Sequence, residues 1–300
     1  MPEPNELSKE FLEIFKESFI KWSDDDPFTL AASLSFYTIF SMPAMLLLII
    51  DITGKIFGKD AIEGKISYEI ENIVGQEGAN QIQNIIANFA LEDTGFLQTV
   101  FSVLIVLFAA TSLFFQLKKS LNKIWKIEDP KVTRTTILNF IINRIEFLLL
   151  ILFLGILLVL SLVTHEIFEI ILPYFHYGML GISKQKIIYG FDLVASFFIM
   201  TLLFILLYKI LPDVKLKLKH VWTGAMLTAF LFIISKIGIA FYFTKFDPAS
   251  SYGKAGSIVL ILLWVYYSSL LMFYGAEFTY VYVQKHFGEI EPNQLGRKSK

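Results

Sequence analysis

A chain of 300 residues that is 55% hydrophobic and 16% aromatic, with a mean hydropathy of +0.61, is too apolar for a water-soluble protein of this length. Its net charge of -1 provides no global attraction to nucleic acid, and the absence of cysteine excludes disulfides, thiolate metal sites and cysteine nucleophiles. The composition therefore predicts an integral membrane protein, whose first apolar span we expect to serve as an uncleaved signal anchor.

The first predicted element is an amphipathic helix over residues 7–22. Phe11, Ile14, Phe15 and Trp22 share one helical face, and charged side chains occupy most of the other. Such a helix either lies along the membrane surface or packs on the ends of the transmembrane bundle. The acidic residues and proline at 24–27 then supply a cap and a first-turn proline for the next helix.

Six apolar stretches follow, each long enough at about 1.5 Å per residue to cross a hydrocarbon core of roughly 30 Å. The segment 51–94 between the first two is polar but keeps helical periodicity, which predicts an extracytoplasmic helical cap. Without a repeat or a linker, the fold class is all-α, a polytopic membrane protein with a single membrane domain. The predicted transmembrane helices are 28–50, 95–117, 140–163, 187–208, 221–243 and 256–283.

Two features predict how these helices pack. Pro43 lies within the first span, where a proline removes a backbone donor and favours a kink. Small residues recur at helical spacing in the last two spans, at Gly224 and Thr228 and again at Gly275 and Thr279. Stripes of small residues let helix backbones approach closely in lipid. The last two spans are therefore expected to present these stripes to neighbouring helices.

Lysine and arginine outside the spans are concentrated before the first span and after the second, fourth and sixth. By the positive-inside rule, this distribution places both termini in the cytoplasm and the 51–94 cap outside. The basic segment from Lys118 to Arg134 also resembles a nucleic-acid patch, but a basic loop beside a membrane helix more often determines topology. Trp125 alone offers too little aromatic surface for base stacking.

No cofactor or metal site is expected. The histidines, which a hydrolytic metal site would bring together, are scattered along the chain at His165, His176, His220 and His286. No glycine-rich loop of the P-loop type is present for nucleotide phosphates. We therefore expect a protein that is not an enzyme.

Charged residues inside the predicted spans are the candidate functional sites, because they are costly in lipid unless paired or hydrated. Glu277 and Arg144 lie at matching depth and are predicted to form a pair, for which Glu146 would compete by binding Arg144 instead. The alternative is a hydrated Glu277 at the membrane boundary. Lys236 and Asp192 are predicted to form the deepest ion pair, in an outward-facing polar pocket. The alternative is that Lys236 snorkels to the headgroups while Asp192 caps its helix.

Two motifs resemble those of the YihY/virulence factor BrkB family. The first is Ala31-Ala32-Ser33-Leu34-Ser35-Phe36-Tyr37 followed by Ser41-Met42-Pro43, and the second runs from Tyr252-Gly253 through Leu263-Trp264-Val265-Tyr266 to Gly275-Ala276-Glu277. The resemblance implies a six-helix protein of the bacterial inner membrane. An older label of ribonuclease BN for some members is regarded as mistaken. The family-motif residues are Ser35, Tyr37, Pro43, Tyr252, Gly253, Trp264, Tyr266, Gly275 and Glu277.

Two functional classes are compatible with these features. The favoured one is a transporter or flippase of a lipid-like or small amphipathic solute, with membrane lipid as the partner and no nucleic acid. The other is a non-transporting envelope scaffold, whose bundle anchors the cap for interaction with other proteins. A ribonuclease is a distant third.

Overall fold

The structure is a computed structural model that describes residues 4–57, 96–128, 145, 148–157, 184–246, 248, 251–252, 256–288, 290–292 and 297–298, with single positions at 63, 80 and 83. Almost all of these residues are helical. The helices are α1 (Pro4–Asp24), α2 (Pro27–Phe57), α3 (Phe96–Ile124), α4 (Leu148–Leu157), α5 (Lys184–Ile210), α6 (Leu218–Phe246) and α7 (Gly256–Phe287). Two two-residue strands, β1 (Ile127–Glu128) and β2 (Arg297–Lys298), pair antiparallel, with Ile127 opposite Lys298.

The last helix, α7, is the centre of the described fold. It contacts α1, α2, α3 and α6, while α2 also packs on α3 and α5 packs on α6. Its segment 272–280 is buried throughout. Four described helical segments are long and apolar enough to cross a membrane: Pro27–Ile50, Leu193–Ile210, Leu218–Phe243 and Ile258–Phe287. The helical membrane-protein class is thereby confirmed, whereas six spans and the 51–94 cap stay predictions.

Reciprocal glycine–threonine contacts join α6 to α7. A Cβ placed on Gly224 would overlap Thr279, and one placed on Gly275 would overlap Thr228. Each threonine hydroxyl donates to the carbonyl of the glycine on its own helix, at 2.7 Å from Thr228 to Gly224 and 2.7 Å from Thr279 to Gly275. The hydroxyl protons are therefore satisfied within each helix, and the backbones approach closely. The packing role predicted for the two small-residue stripes is confirmed.

The amphipathic helix α1 packs along α7. The indole of Trp22 donates to the Leu270 carbonyl at 3.2 Å, and the Tyr274 hydroxyl donates to the Phe15 carbonyl at 3.2 Å. Ile14 is buried, whereas several apolar side chains on the rest of the helix, among them Leu12 and Phe19, are exposed. One face therefore packs on the bundle and another is exposed, so packing on the bundle is observed and placement along the membrane surface stays a prediction.

The proline in α2 does not end the helix, which continues to Phe57. Pro43 is itself buried. The Ser41 hydroxyl donates to the carbonyl of Thr38, three residues earlier in the same helix, at 3.4 Å. Serine and threonine hydroxyls along α2 bond in the same way to the carbonyls of Ala31 and Leu34. The hydroxyls of Ser35, Thr38 and Ser41 thus bond to carbonyls of their own helix.

The helix α3 extends seven residues past the predicted end of the second span, to Ile124. Its last turn closes with the Trp125 amide donating to the Leu121 carbonyl at 2.9 Å, and Lys126 then adopts a positive φ of 56° that turns the chain away. The segment predicted to be a basic loop therefore begins as helix. This extension places its lysines on defined faces of α3.

Candidate functional site

A cavity of about 490 Å³ lies where the start of α2 meets the end of α3. One part of its lining is charged or polar and another part is apolar, from Leu30 and Ile127. Its volume falls within the range of about 300–1,000 Å³ that is usual for small-molecule sites. The polar lining residues are Asp25, Ser33, Gln116, Lys119, Asn122, Lys123 and Lys126.

The carboxylate of Asp25 organises one wall of this cavity. Lys126 Nζ lies 2.5 Å from both Asp25 oxygens, and Lys123 Nζ donates to the Asp25 backbone carbonyl at 2.8 Å. The adjacent Asp26 has a positive φ of 56°, which reverses the chain between α1 and α2 and points Asp25 toward α3. These contacts connect the α1–α2 turn to the end of α3 and hold two ammonium groups at the cavity.

A buried network lies behind the cavity. Lys118 Nζ is 2.9 Å from Asp213 Oδ1, and the Asn122 amide donates to Asp213 Oδ2 at 3.1 Å. The Asp213 backbone amide in turn donates to Asn122 Oδ1 at 2.8 Å. The side chains of Lys118 and Asp213 are only 10% and 5% exposed. These contacts join the turn between α5 and α6 to α3, and breaking a buried ion pair of this kind is strongly destabilising.

The second charged group near the cavity is Glu277. It is fully buried, and neither of its carboxyl oxygens has a hydrogen-bond partner within the described part of the chain. Asp25, Lys126 and Lys21 are the charged side chains near it among the described residues. Whether it pairs with Arg144 or lies hydrated at the membrane boundary stays a prediction. Through Asp25 and Lys126, this carboxyl adjoins the wall of the cavity.

Of the other predicted intramembrane charges, the structure describes the side chain of Lys236. Arg144, Glu146 and the side chain of Asp192 lie outside those residues. Lys236 is exposed on the surface of α6. The Glu277–Arg144 and Lys236–Asp192 pairs therefore stay predictions.

The family-motif residues fall into two groups. The first group is buried or partly buried and packs helices together, as Gly275 does in its close contact with Thr228. Its members are Ser35, Pro43, Gly275, Trp264 and Tyr266. The exposed group is Tyr37 and Tyr252, while Gly253 lies outside the described residues. Glu277 is buried in α7, and Ser33 of the first motif lines the cavity.

Two elements of the site were not predicted from sequence. The ion pair of Lys118 with Asp213 joins residues 95 positions apart in the chain. The cavity depends on the extension of α3 into the segment predicted to be a loop. The available signal was the spacing of Gln116, Lys119 and Lys123, which share one face if the helix continues past residue 117.

No group of three or more metal-ligating side chains occurs among the residues that the structure describes. The indole of Trp125, the aromatic side chain of the basic segment, is 1% exposed and contacts the Tyr280 ring with centroids 6.0 Å apart. It is therefore a core residue. The site offers ammonium, amide, hydroxyl and carboxylate groups next to apolar surface, which are groups that bind and orient a solute.

Comparison with known proteins identifies the family. The chain matches the family described as Virulence factor BrkB over residues 18–299. A UPF0761 membrane protein of Vibrio parahaemolyticus is 29% identical over 266 residues, covering 86% of this chain and 79% of the relative. Relatives of the same description from Vibrio atlanticus and Pseudoalteromonas atlantica are each 27% identical, covering 83% and 89% of this chain and 75% and 85% of their own lengths. No solved structure matches the chain. The motif resemblance is thus confirmed, and the chain belongs to the Virulence factor BrkB family of membrane proteins.

Proposed function

We propose that this protein moves a lipid-like or amphipathic solute across the bacterial cytoplasmic membrane, as a transporter or flippase and not as an enzyme. The observation that supports this function is the mixed lining of the cavity between α2 and α3. Lysine, amide and hydroxyl groups line it together with the apolar side chains of Leu30 and Ile127. A solute with a polar head and an apolar remainder matches such a lining.

The surroundings of the cavity suit the apolar part of that solute. The two helices that form it expose large apolar side chains, including Phe36 and Phe40 on α2 and Phe108 and Phe115 on α3. In a bilayer, such surfaces face acyl chains. An apolar tail would remain in lipid while the polar head enters the cavity, which avoids the cost of moving either part into an unfavourable environment.

The proposed orientation places the cavity on the cytoplasmic side. The lysines at the end of α3 belong to the basic segments that the positive-inside rule assigns to the cytoplasm, and α1 and the end of α7 lie at the same end of the bundle. Both termini would then be cytoplasmic, and the solute would enter or leave the cavity from the inner leaflet.

Reconstitution into liposomes tests the function directly. Gln116→Phe fills the cavity from α3, and Leu104→Phe, on the exposed side of the same helix, is the matched control. We expect movement of a labelled lipid or amphiphile with wild-type protein, its loss with the Gln116 variant and its retention with the control. Each purified variant is first shown to be monodisperse, so that a loss of transport is not caused by misfolding.

The principal alternative is the envelope scaffold. Purified wild-type protein that moves no lipid or amphiphile across a panel of headgroups, yet co-purifies with envelope proteins through the 51–94 segment, would favour the scaffold and refute transport. A ribonuclease would have to cleave RNA as highly purified protein, with an activity that follows point mutants.

A further inference from the structure

We infer that the cavity between α2 and α3 is a binding site for an anionic phosphate group, carried by a lipid headgroup or by a soluble phosphate ester. This inference deepens the proposed function by naming the chemical class of the solute's head. It rests on that function only in assigning the cavity to the transported solute, because binding of an anion there is measurable without transport.

Positively charged side chains outnumber negatively charged ones in the described lining of the cavity. Three lysines, Lys119, Lys123 and Lys126, face one carboxylate, that of Asp25, among the described lining residues. Lys126 pairs with Asp25 at 2.5 Å, and the contact of Lys123 within the described residues is with the uncharged backbone carbonyl of Asp25. The lining therefore carries an excess of positive charge. An anion would be attracted to it, and the attraction would weaken as salt screens it.

The fold directs these lysines to the cavity through the geometry of α3. Gln116, Lys119 and Lys123 recur at intervals of three and four residues, so they form one stripe on the helix, and Lys126 follows at the turn that ends it. Lys118 lies on a different face, where the buried Asp213 pairs with its charge. Within its described residues, the basic segment is thus divided between a structural lysine and three lysines at the cavity.

The chemistry of the lining suits phosphate oxygens. Ammonium groups are compact donors that bind phosphate as point charges, and charge-assisted hydrogen bonds are roughly twice as strong as neutral ones. The Gln116 amide and the Ser33 hydroxyl add neutral donors to the same cavity. Basic pockets between transmembrane helices on the cytoplasmic side are a known form of recognition for anionic lipid headgroups. Leu30 and Ile127 leave apolar surface for the carbon atoms next to the phosphate.

Native mass spectrometry of the detergent-solubilised full chain tests the inference. The probes are phosphatidic acid and phosphatidylglycerol, with phosphatidylcholine of the same acyl chains as the zwitterionic comparison. The test variant is Lys119→Gln with Lys123→Gln, which retains the Lys126–Asp25 pair. The matched control is Lys215→Gln with Lys217→Gln, two exposed lysines in the turn between α5 and α6 that are not among the cavity residues.

We expect the anionic lipids to bind more tightly than phosphatidylcholine. Because each lysine near an anionic headgroup contributes about 1 kcal/mol, the double variant should weaken that binding by about 25-fold. The control should leave it within about threefold, since its lysines act only through the screened surface field. An unchanged affinity in the test variant, an equal loss in the control, or equal binding of phosphatidylcholine would overturn the inference.

A second measurement identifies the source of the phosphate. Glycerol 3-phosphate is titrated into the same protein by calorimetry. Saturable binding that the Lys119–Lys123 variant abolishes would support a soluble ester, whereas binding of phosphatidic acid without binding of glycerol 3-phosphate would support a lipid headgroup. Binding of neither would overturn the inference. The proposed function is tested separately. Lysine-dependent anion binding without any flux would refute transport and support the phosphate site. Flux that is unchanged by the lysine substitutions would support transport and refute the phosphate site.

Discussion

Gly275→Ala provides a direct test of the contact between α6 and α7. A Cβ at this position would overlap the Thr228 hydroxyl, lie 2.9 Å from Thr228 Cβ and lie 2.7 Å from the Tyr208 hydroxyl. That hydroxyl donates to the Met272 carbonyl at 2.7 Å and lies 3.0 Å from the Thr228 hydroxyl. Relief of the overlap therefore requires either helix separation or loss of buried hydrogen bonds.

The size of the effect follows from two opposing contributions. Overpacking of a tight interface costs about 1–3 kcal/mol, and alanine recovers about 0.5–1 kcal/mol over glycine within a helix. The net loss should be about 1–2 kcal/mol, or a fall of about 2–5 °C in the melting temperature. Gly224→Ala should cost more, because its Cβ would also meet the Thr279 Cα at 3.2 Å, and a backbone atom cannot turn aside.

The matched controls are two other helical glycines. A Cβ on Gly190 or Gly238 would meet nothing within 4 Å, so alanine there should keep or slightly raise the melting temperature through its better helix propensity. Melting of purified protein in detergent, followed by loss of the monodisperse chromatographic peak, measures all four variants under one condition. The expected result is a fall at Gly224 and Gly275 and no fall at the two controls.

A double substitution separates overlap from other causes. Thr228→Gly removes both threonine atoms that the Gly275→Ala methyl would meet, so the combined variant should melt higher than additivity of the two single changes predicts. Strict additivity would refute the overlap, and so would equal effects of alanine at Gly275 and at Gly238.

Three further outcomes are expected. Asp213→Ala should destabilise the protein by about 3–5 kcal/mol because it breaks the buried ion pair with Lys118, and Asp213→Leu with Lys118→Met should recover most of the melting temperature; a failure to recover would contradict the buried pair. Glu277→Gln should change the free energy of unfolding by less than about 1 kcal/mol, since no described donor bonds its oxygens, and a large loss would reveal a cationic partner elsewhere in the chain. In intact cells, an impermeant thiol reagent should label a cysteine at Glu77 and not one at Lys123 if the termini are cytoplasmic, and the reverse pattern would invert the topology.

Local sequence patterns determined the membrane class and the surfaces by which the last helices meet. Apolar runs require helices, because a backbone in lipid must satisfy its polar groups internally. Small residues four positions apart share a helix face, which identified Gly224 with Thr228 and Gly275 with Thr279 before any partner was known. Such patterns can be identified from sequence because helical periodicity depends on residues that are close together in the chain.

The candidate site required tertiary structure. Lys118 and Lys119 are adjacent and chemically identical, yet one is buried against Asp213 and the other lines the cavity. Periodicity separates their faces but does not say which face meets the turn between α5 and α6, nor that α3 continues past the apolar run. Glu277 is a similar case, since depth in the membrane suggested Arg144 whereas its described charged neighbours are Asp25, Lys126 and Lys21. The sequence alone determined which residues share a helix face, and only the packing of distant segments decided which charges meet, because charge pairing depends on distances of a few ångströms between helices.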